Sequence, residues 1–481
     1  MLGVHSPASK QTVSRTVTRK ADWLSAAAAW GSTLLVLVAV LLASAVASDG
    51  SIDTNTGGRT ALIVLGLIAL LPLLVRRLRI SGPRWLPWVI GASSVVITVV
   101  LGVLMALDRQ NEAWALYAFL NLLRAREHFG DLFLVLQYLE CDGCTFLIYG
   151  PGLLWIDRFI PGQTQTSWTP FLGYALAVAL GLALVWLVRN SSGRALPVFI
   201  LAAIGPSWLL LLDRGNLDGL VVVVAVLAVI VLRRKPTLPV FTAVAILFWI
   251  LGTWKYYPFA LGLLLLPALQ LRRGWIVVGL YSAALAAFVA GAWSDVSQGS
   301  QENLVNVLTY DFPAFGSIPI IERMTIPSVA YSDIIASGLL ALMSIAAFMW
   351  GMRFGRHVRT QSPWIPLLAL AGSVMFFFSI GIAGFGFAYK AAFLMMAVPL
   401  LSLPRSSSPR FALYTSLVAL ILVGITLIVG YSILLTSLAG LIASALGIGA
   451  STTYLVGLLR DLRKPRSANS TRQQGSDSLD F

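Results

Sequence analysis

Charged residues are scarce in this chain. Asp, Glu, Lys and Arg together make up 11% of its 481 residues, whereas a typical soluble domain carries roughly 25%. Hydrophobic residues account for 58%, and the mean hydropathy is +0.84. A soluble fold with so few polar groups could not cover its surface, so lipid must solvate much of the chain. The composition therefore excludes a large soluble domain and predicts an all-α bundle that crosses a bilayer many times.

Histidine and cysteine are also rare, with three and two copies in the chain. A zinc site needs about four such ligands, so no cofactor is expected. The acidic residues elsewhere in the chain are a second possible source of ligands, and they keep a bound metal ion as an alternative. Cys141 and Cys144 form a Cys-x-x-Cys pair. This pair favours a disulfide in an oxidising compartment over a redox-active pair or an incomplete metal site with His128.

The apolar residues fall into fourteen runs that approach the roughly 20 residues needed to span a bilayer. The runs lie at 24–47, 60–75, 86–107, 171–188, 197–212, 217–232, 239–254, 258–271, 275–292, 333–350, 364–381, 391–404, 411–430 and 433–458. The first run follows a basic segment and ends near a possible cleavage site, but its length favours an uncleaved anchor over a signal peptide. We therefore predict a domain of about fourteen spans over 24–459.

The net charge of +14 comes from short basic clusters between these runs. None is interleaved with aromatic residues, so nucleic acid is not an expected partner. All the clusters fall on one side of the predicted bundle, which the positive-inside rule makes cytoplasmic. The basic segment 1–23 and the disordered tail 460–481 then lie in the cytoplasm of a cell whose plasma membrane holds the bundle. Long external loops are predicted at 108–170 (between the third and fourth spans) and 293–332.

Ionisable residues gather at the predicted external ends of the spans, where they indicate function because they are costly at membrane depth. The turn Asp213-Arg214-Gly215-Asn216-Leu217-Asp218 is more polar than a helix hairpin requires. Trp254-Lys255-Tyr256-Tyr257-Pro258 places a cation among aromatics, as a phosphate clamp or an interfacial belt would. The short runs at 197–212 and 258–271 indicate a cavity open to the external side.

Two further segments carry candidate chemistry. Asp131 has apolar neighbours in the first long loop, where a partly buried carboxylate can act as a general base, although a solvated loop acid is the simpler alternative. In the same loop, segments 112–126 and 145–160 are expected to lie on the outer membrane surface. Tyr389-Lys390 precedes a late apolar run, where Lys390 is either a ligand for an anion or a snorkelling cation.

Together these motifs resemble glycosyltransferase family 87 of the GT-C superfamily. The similarity is carried by Asp213-Arg214-Gly215-Asn216, by Lys255-Tyr256-Tyr257-Pro258 one hairpin later, by Tyr389-Lys390, and by Asp131 with Tyr149-Gly150-Pro151-Gly152. The resemblance implies a multi-span enzyme that transfers a sugar from a polyprenyl-phosphate donor to a lipid or glycan acceptor on the external face, with inversion. The chain departs from the family pattern in three features. It has two additional early spans, Gly150 stands where Pro is common, and Lys390 stands where Arg is more usual.

The resemblance also implies roles for individual residues. Asp131 is expected to be the catalytic base, with Asp108 the runner-up and Asp142 a further alternative. Lys255, Arg214 and, more weakly, Lys390 are expected to hold the donor phosphate. The residues expected to bind substrate are Asp213, Asn216, Tyr256, Tyr257, Tyr149 and Tyr389. A transporter or lipid flippase is the main alternative function, although no repeat between the two halves supports it; an O-antigen polymerase or ligase and a subunit without chemistry are weaker ones.

Overall fold

The computed structural model describes residues 85–106, 129–139, 166–191, 199, 202–203, 206–291, 314–315, 332–355, 363–382, 386–402 and 432–463. The predicted spans 24–47, 60–75 and 411–430, the surface segments 112–126 and 145–160, the N-terminal segment 1–23 and residues 464–481 lie outside the described residues. Residues 460–463 were predicted to begin the disordered tail, but they are helical.

The described residues are almost entirely helical. The α-helices are α1 Leu86–Ala106, α2 Gly130–Leu139, α3 Thr169–Arg189, α4 Pro206–Arg214, α5 Leu217–Arg234, α6 Leu238–Trp254, α7 Gly274–Gly291, α8 Ser332–Gly355, α9 Trp364–Phe377 and α10 Ser432–Arg463. A short 3₁₀ turn, Thr166–Trp168, precedes α3, and a π-helical turn, Phe378–Ile382, continues α9. Two-residue strands β1 Ala314–Phe315 and β2 Gly386–Phe387 pair antiparallel, with Ala314 opposite Phe387.

Eight of the predicted apolar runs match single α-helices within five residues. They are the runs that correspond to α1, α3, α5, α6, α7, α8, α9 and α10. Helix starts and stops follow the expected local chemistry. Proline occupies the first turn of α3 and α6, and arginines lie in the last turn of α3 and α5, where they complement the carbonyl end of the helix. The helical character of these runs is therefore confirmed.

Two of the predicted spans are wound more tightly than an α-helix. Residues Tyr257–Gln270 form 3₁₀ segment A and Ala388–Ser402 form 3₁₀ segment B, and each contains an internal proline, Pro267 and Pro399. Proline lacks the amide that an α-helix needs at an interior position. A 3₁₀ helix rises about 2.0 Å per residue, so 14 residues extend about 28 Å, close to the ~30 Å hydrocarbon core. Tight winding thus compensates for the shortness of the run at 258–271.

Among the described residues, four helical stretches are long and apolar enough to cross a membrane: Thr166–Arg189, Gly274–Gly291, Ile334–Arg353 and Gly440–Gly457. Large apolar side chains are exposed along the second and third of these, including Leu280 and Leu342. Exposed apolar helix surface is typical of contact with lipid. The buried core includes 3₁₀ segment B, which packs against α9 and α4, so the residues that follow Lys390 lie at the centre of the described helices.

Helices α8 and α10 pack closely through glycines. A Cβ atom at Gly351 would overlap the carbonyl of Leu446, and one at Gly449 would overlap the carbonyl of Phe348. Small residues that let backbones approach in this way are a common device of membrane helix pairs.

Gly449→Ala is expected to lower the melting temperature by several degrees, because the added methyl group has no space and overpacking costs about 1–3 kcal/mol. Gly457 lies on the same helix and has open space where an added methyl group would point. Gly457→Ala is the matched control, and it should be neutral or slightly stabilising. Thermal unfolding in detergent measures both, and equal melting temperatures for the two variants would contradict the close packing.

Candidate functional site

A single sharp turn between α4 and α5 organises the site. Gly215 ends α4 with φ +58°, a left-handed conformation that glycine adopts without strain. Asn216 then caps α5, because its side-chain Oδ1 accepts a hydrogen bond from Asp218 N at 2.9 Å. The Gly and Asn of the polar turn therefore reverse the direction of the chain between α4 and α5. They also leave Asp213, Asn216 and Asp218 buried at one end of the bundle.

Helix α2 docks on this turn through its first residues. Phe129 N donates to the carbonyl of Asp213 at 2.6 Å, and Phe129 adopts φ +59°, which is uncommon for a bulky residue. Its ring is buried against Gly173 and meets Tyr174 edge to face at 5.0 Å. Backbone strain of this kind persists where the surroundings enforce it, often at functional sites. As a result, Asp131, on a helix that is distant in sequence, contacts Arg214 and Asn216 at the turn.

Asp131 is buried, with 9% of its surface exposed, and both carboxylate oxygens have partners. Arg214 donates to Oδ1 through Nε at 2.6 Å and also through Nη2. Asn216 Nδ2 donates to Oδ2 at 2.6 Å. The expected apolar setting is confirmed, since Phe129 and Leu132 form a small core beside it. Asp131 is thus held in one orientation by a two-point ion pair and an amide.

Asn216 links the two halves of the site. Its Oδ1 accepts from Lys255 Nζ at 2.8 Å as well as from the α5 backbone, while its Nδ2 donates to Asp131. The orientation of the amide is therefore fixed, because its oxygen must face Lys255 and its NH₂ group must face Asp131. Asn216 forms a bridge between the Asp131 pair and the Lys255 pair.

Lys255 ends α6 and reaches Asp218 on α5, with Nζ 2.6 Å from Oδ1. Both groups are buried, and the Asp218 side chain has almost no exposed surface. Tyr257 OH donates to the same Oδ1. Asp218 Oδ2 is buried and has no hydrogen-bond partner among the described residues. A buried carboxylate held this way is stabilised on one side only.

Lys390 completes the group from 3₁₀ segment B. Its Nζ lies 5.3 Å from the centre of the Tyr257 ring, within the range of a cation–π contact. The ring of Tyr257 also meets that of Phe393 at 5.3 Å. Lys390 interacts electrostatically with both Asp218 and Lys255. We call this group the polar cluster, and its members are Asp131, Arg214, Asn216, Asp218, Lys255, Tyr257 and Lys390.

An apolar cavity of about 470 Å³ adjoins the polar cluster at Tyr257. It runs between 3₁₀ segment A, α7 and the end of α9, and Tyr256 lines its start together with Tyr257. The remaining walls are mostly aliphatic or aromatic, and they include Phe259, Leu263, Leu266, Leu285, Phe288, Val374 and Phe378. A polar end and an apolar body beside it match the requirements of an amphipathic ligand.

The structure brings together most of the predicted site residues that it describes. Asp131, Arg214, Asn216, Lys255, Tyr257 and Lys390 join the polar cluster, Tyr256 lines the cavity, and Asp213 anchors α2 through its carbonyl. Asp108, Tyr149, Cys141, Cys144 and the side chain of Tyr389 lie outside the described residues. Within the described ranges no group of three His, Cys, Asp or Glu side chains could hold a metal ion.

Asp218 was given no role by the sequence, although it sits in the polar turn. Its spacing was the available signal: position 218 lies in the first turn of α5, beside the cap, and so shares an end of the bundle with Lys255. Residue types alone do not predict that Asp218 is 0% exposed or that it contacts both Lys255 and Tyr257.

No protein-family model matches the chain, no curated protein matches its sequence, and no solved structure matches its fold.

Proposed function

We propose that this chain is an inverting membrane glycosyltransferase of the GT-C type. It moves a sugar from a polyprenyl-phosphate donor to a lipid or cell-envelope glycan acceptor. On the proposed topology about fourteen spans cross the plasma membrane, both termini are cytoplasmic, and the site faces outward. The observation that carries the proposal is the polar cluster that adjoins an apolar cavity at Tyr257, beside helices suited to a bilayer.

The donor binds with its phosphate among the cations and its prenyl chain in the cavity. Arg214, Lys255 and Lys390 supply the positive charge, and the walls that begin at Tyr256 supply apolar contact. A volume of about 470 Å³ is within the range of small-molecule sites and accommodates part of a long chain. The rest of the chain extends into surrounding lipid.

The chemistry requires a base and a stabilised leaving group. Asp131 takes the proton from the acceptor hydroxyl, whose oxygen attacks the anomeric carbon from the face opposite the phosphate. The bond between that carbon and the phosphate oxygen breaks, and its electron pair leaves with the polyprenyl phosphate. Fixed cations aimed at the phosphate stabilise the charge that develops there.

The contacts of Asp131 fit this sequence of events. Arg214 holds Oδ1 of the carboxylate before the donor arrives. A donor phosphate competes for the same guanidinium, because Arg pairs with phosphate and carboxylate in the same two-point geometry. Donor binding therefore makes one Asp131 oxygen available as the acceptor hydroxyl arrives.

Transfer of labelled sugar tests the proposal. Purified protein in proteoliposomes is given a panel of labelled polyprenyl-phosphate sugars and a cell-envelope glycolipid acceptor. Asp131→Asn is expected to lower the transfer rate by roughly 10²–10⁴-fold, as loss of a general base does. Asp461→Asn, near the end of α10, is the matched control and should keep full rate.

The same assay distinguishes sugar transfer from the main alternative, a transporter or lipid flippase. Label that crosses the bilayer without becoming attached to an acceptor would indicate transport. An Asp131→Asn rate equal to wild type would remove Asp131 as the base.

A tryptophan in the cavity should block the prenyl chain. Leu285 lines the cavity on α7, whereas Leu280 on the same helix is 66% exposed and is not part of the lining. Leu285→Trp is expected to raise KM about tenfold or more for a long-chain donor and less for a short-chain donor, because the indole removes apolar contact area. Leu280→Trp is the control and should leave both KM values unchanged. Equal effects of Leu285→Trp on long and short donors would contradict chain binding here.

A further inference from the structure

The second oxygen of the Asp218 carboxylate requires a hydrogen-bond donor that the described residues do not supply. Oδ1 receives Lys255 Nζ at 2.6 Å and Tyr257 OH, yet Oδ2 is buried and unpartnered. A carboxylate oxygen left without a donor in the interior is costly, and such an exception in a native protein calls for an explanation. Asp218 is joined to the cavity wall through Tyr257, whose hydroxyl donates to Oδ1 and which also lines the cavity, so the unpartnered oxygen lies next to a space that a ligand can occupy.

The surroundings limit what the ligand can be. The ammonium of Lys255 pairs with Asp218, and the ammonium of Lys390 lies over the Tyr257 ring and interacts electrostatically with both of these charges. A metal cation or an amine would be repelled by this pair of positive charges. The ligand must therefore offer a neutral hydrogen-bond donor to Oδ2 and carry negative charge for Lys390. A phosphorylated polyol meets both requirements.

We propose that Asp218 and Lys390 form a head-group subsite for a sugar phosphate. Oδ2 of Asp218 accepts a hydrogen bond from a sugar hydroxyl, and Lys390 binds the adjoining phosphate. The rings of Tyr257 and Phe393 provide an apolar surface for the C–H face of the sugar. This inference rests on the proposed function, because it assigns the sugar end of the same donor, and it makes Asp218 the residue that distinguishes a sugar-bearing donor from bare lipid phosphate.

Binding measurements isolate the sugar contribution. The affinity of full-length protein in nanodiscs is measured for farnesyl phosphate and for its mannosyl, glucosyl and arabinosyl forms. Wild type is expected to bind one sugar form roughly tenfold more tightly than farnesyl phosphate, since one hydrogen bond to a charged group is gained. The soluble sugar 1-phosphates test the other source of this chemistry, and they should bind more weakly than the lipid forms because they make no contact with the cavity walls.

Asp218→Asn is the informative variant. The amide keeps an acceptor oxygen for Lys255 and Tyr257 but replaces Oδ2 with a donor. The tenfold advantage of the sugar form should fall to about twofold or less, while the affinity for farnesyl phosphate in the same variant serves as the internal control for folding. An advantage that survives in Asp218→Asn overturns the proposal.

A second measurement needs no variant. Donors that lack one sugar hydroxyl at a time are compared on wild type, and one of them should lose most of the advantage. Equal binding of all deoxy forms would overturn the subsite while leaving donor binding intact. Equal affinity for farnesyl phosphate and all its sugar forms would do the same. Failure of wild type to bind any farnesyl compound would overturn the proposed function with it.

Discussion

Replacing Lys255 by methionine is expected to be one of the most destabilising single changes at the site. Methionine preserves the length and most of the volume of the side chain but removes the ammonium that neutralises Asp218. Breaking a buried ion pair from one side typically costs about 3–5 kcal/mol, because the remaining charge is left without compensation. The amide bridge to Asn216 is lost as well. The melting temperature should fall by many degrees, measured by thermal unfolding in detergent.

The partner substitution provides the control. Adding Asp218→Asn to Lys255→Met removes the stranded charge, so the double variant should recover a substantial part of the lost stability. A favourable coupling of about 1–3 kcal/mol between the two sites is expected from this cycle. Additive losses would mean that Lys255 and Asp218 do not form a buried pair. Neither outcome depends on the proposed activity, so the cycle tests the site geometry alone.

The meeting of distant residues at one end of the bundle could be predicted from sequence. Helix α5 leads away from the polar turn and α6 leads back, and each is an apolar run of nearly equal length. An antiparallel hairpin of that kind returns Lys255 to the level of Asn216. The same reasoning from alternating spans placed Asp131 and Lys390 on that side. The apolar runs and the basic clusters between them are sufficient to predict which end of the bundle each of these residues occupies.

Contacts between individual side chains could not be predicted in this way. Whether Lys255 pairs with Asp213 or with Asp218 depends on the rotation of α5 about its axis, which the Asn216 cap and the Gly215 backbone determine. The 3₁₀ winding that carries Tyr257 and Lys390 follows from tertiary packing that overrides the helical preference of an apolar run. The left-handed conformation of Phe129 has no sequence signal, because an aromatic residue is a poor candidate for it.

Asn216→Asp is expected to detach α2 from the site, and it is the most selective disruption that the structure offers. The change is nearly isosteric, but it replaces the donor that holds Asp131 Oδ2 at 2.6 Å with a carboxylate oxygen. Two carboxylates at that separation repel strongly in a buried setting, and only one of them can pair with Arg214. Hydrogen exchange within Gly130–Leu139 should accelerate at least tenfold, and sugar transfer should fall by roughly 10²-fold or more because the base is displaced from its position.

Asn190→Asp is the matched control, because it makes the same substitution away from Asp131. Asn190 caps the end of α3, donates to the carbonyl of Trp186 at 2.8 Å, and accepts from Arg233 at 3.3 Å. An aspartate there gains an ion pair with Arg233 at an exposed position, worth at most about 1 kcal/mol, so exchange in α2 and transfer rate should match wild type. Asn216→Ala removes the bridge without adding charge and should give an intermediate effect. If Asn216→Asp and Asn216→Ala instead lost the same amount, repulsion between carboxylates would play no part. If both matched wild type, Arg214 alone would hold Asp131. The ordering of the three variants therefore measures how far the position of Asp131 depends on the single amide that joins it to Lys255.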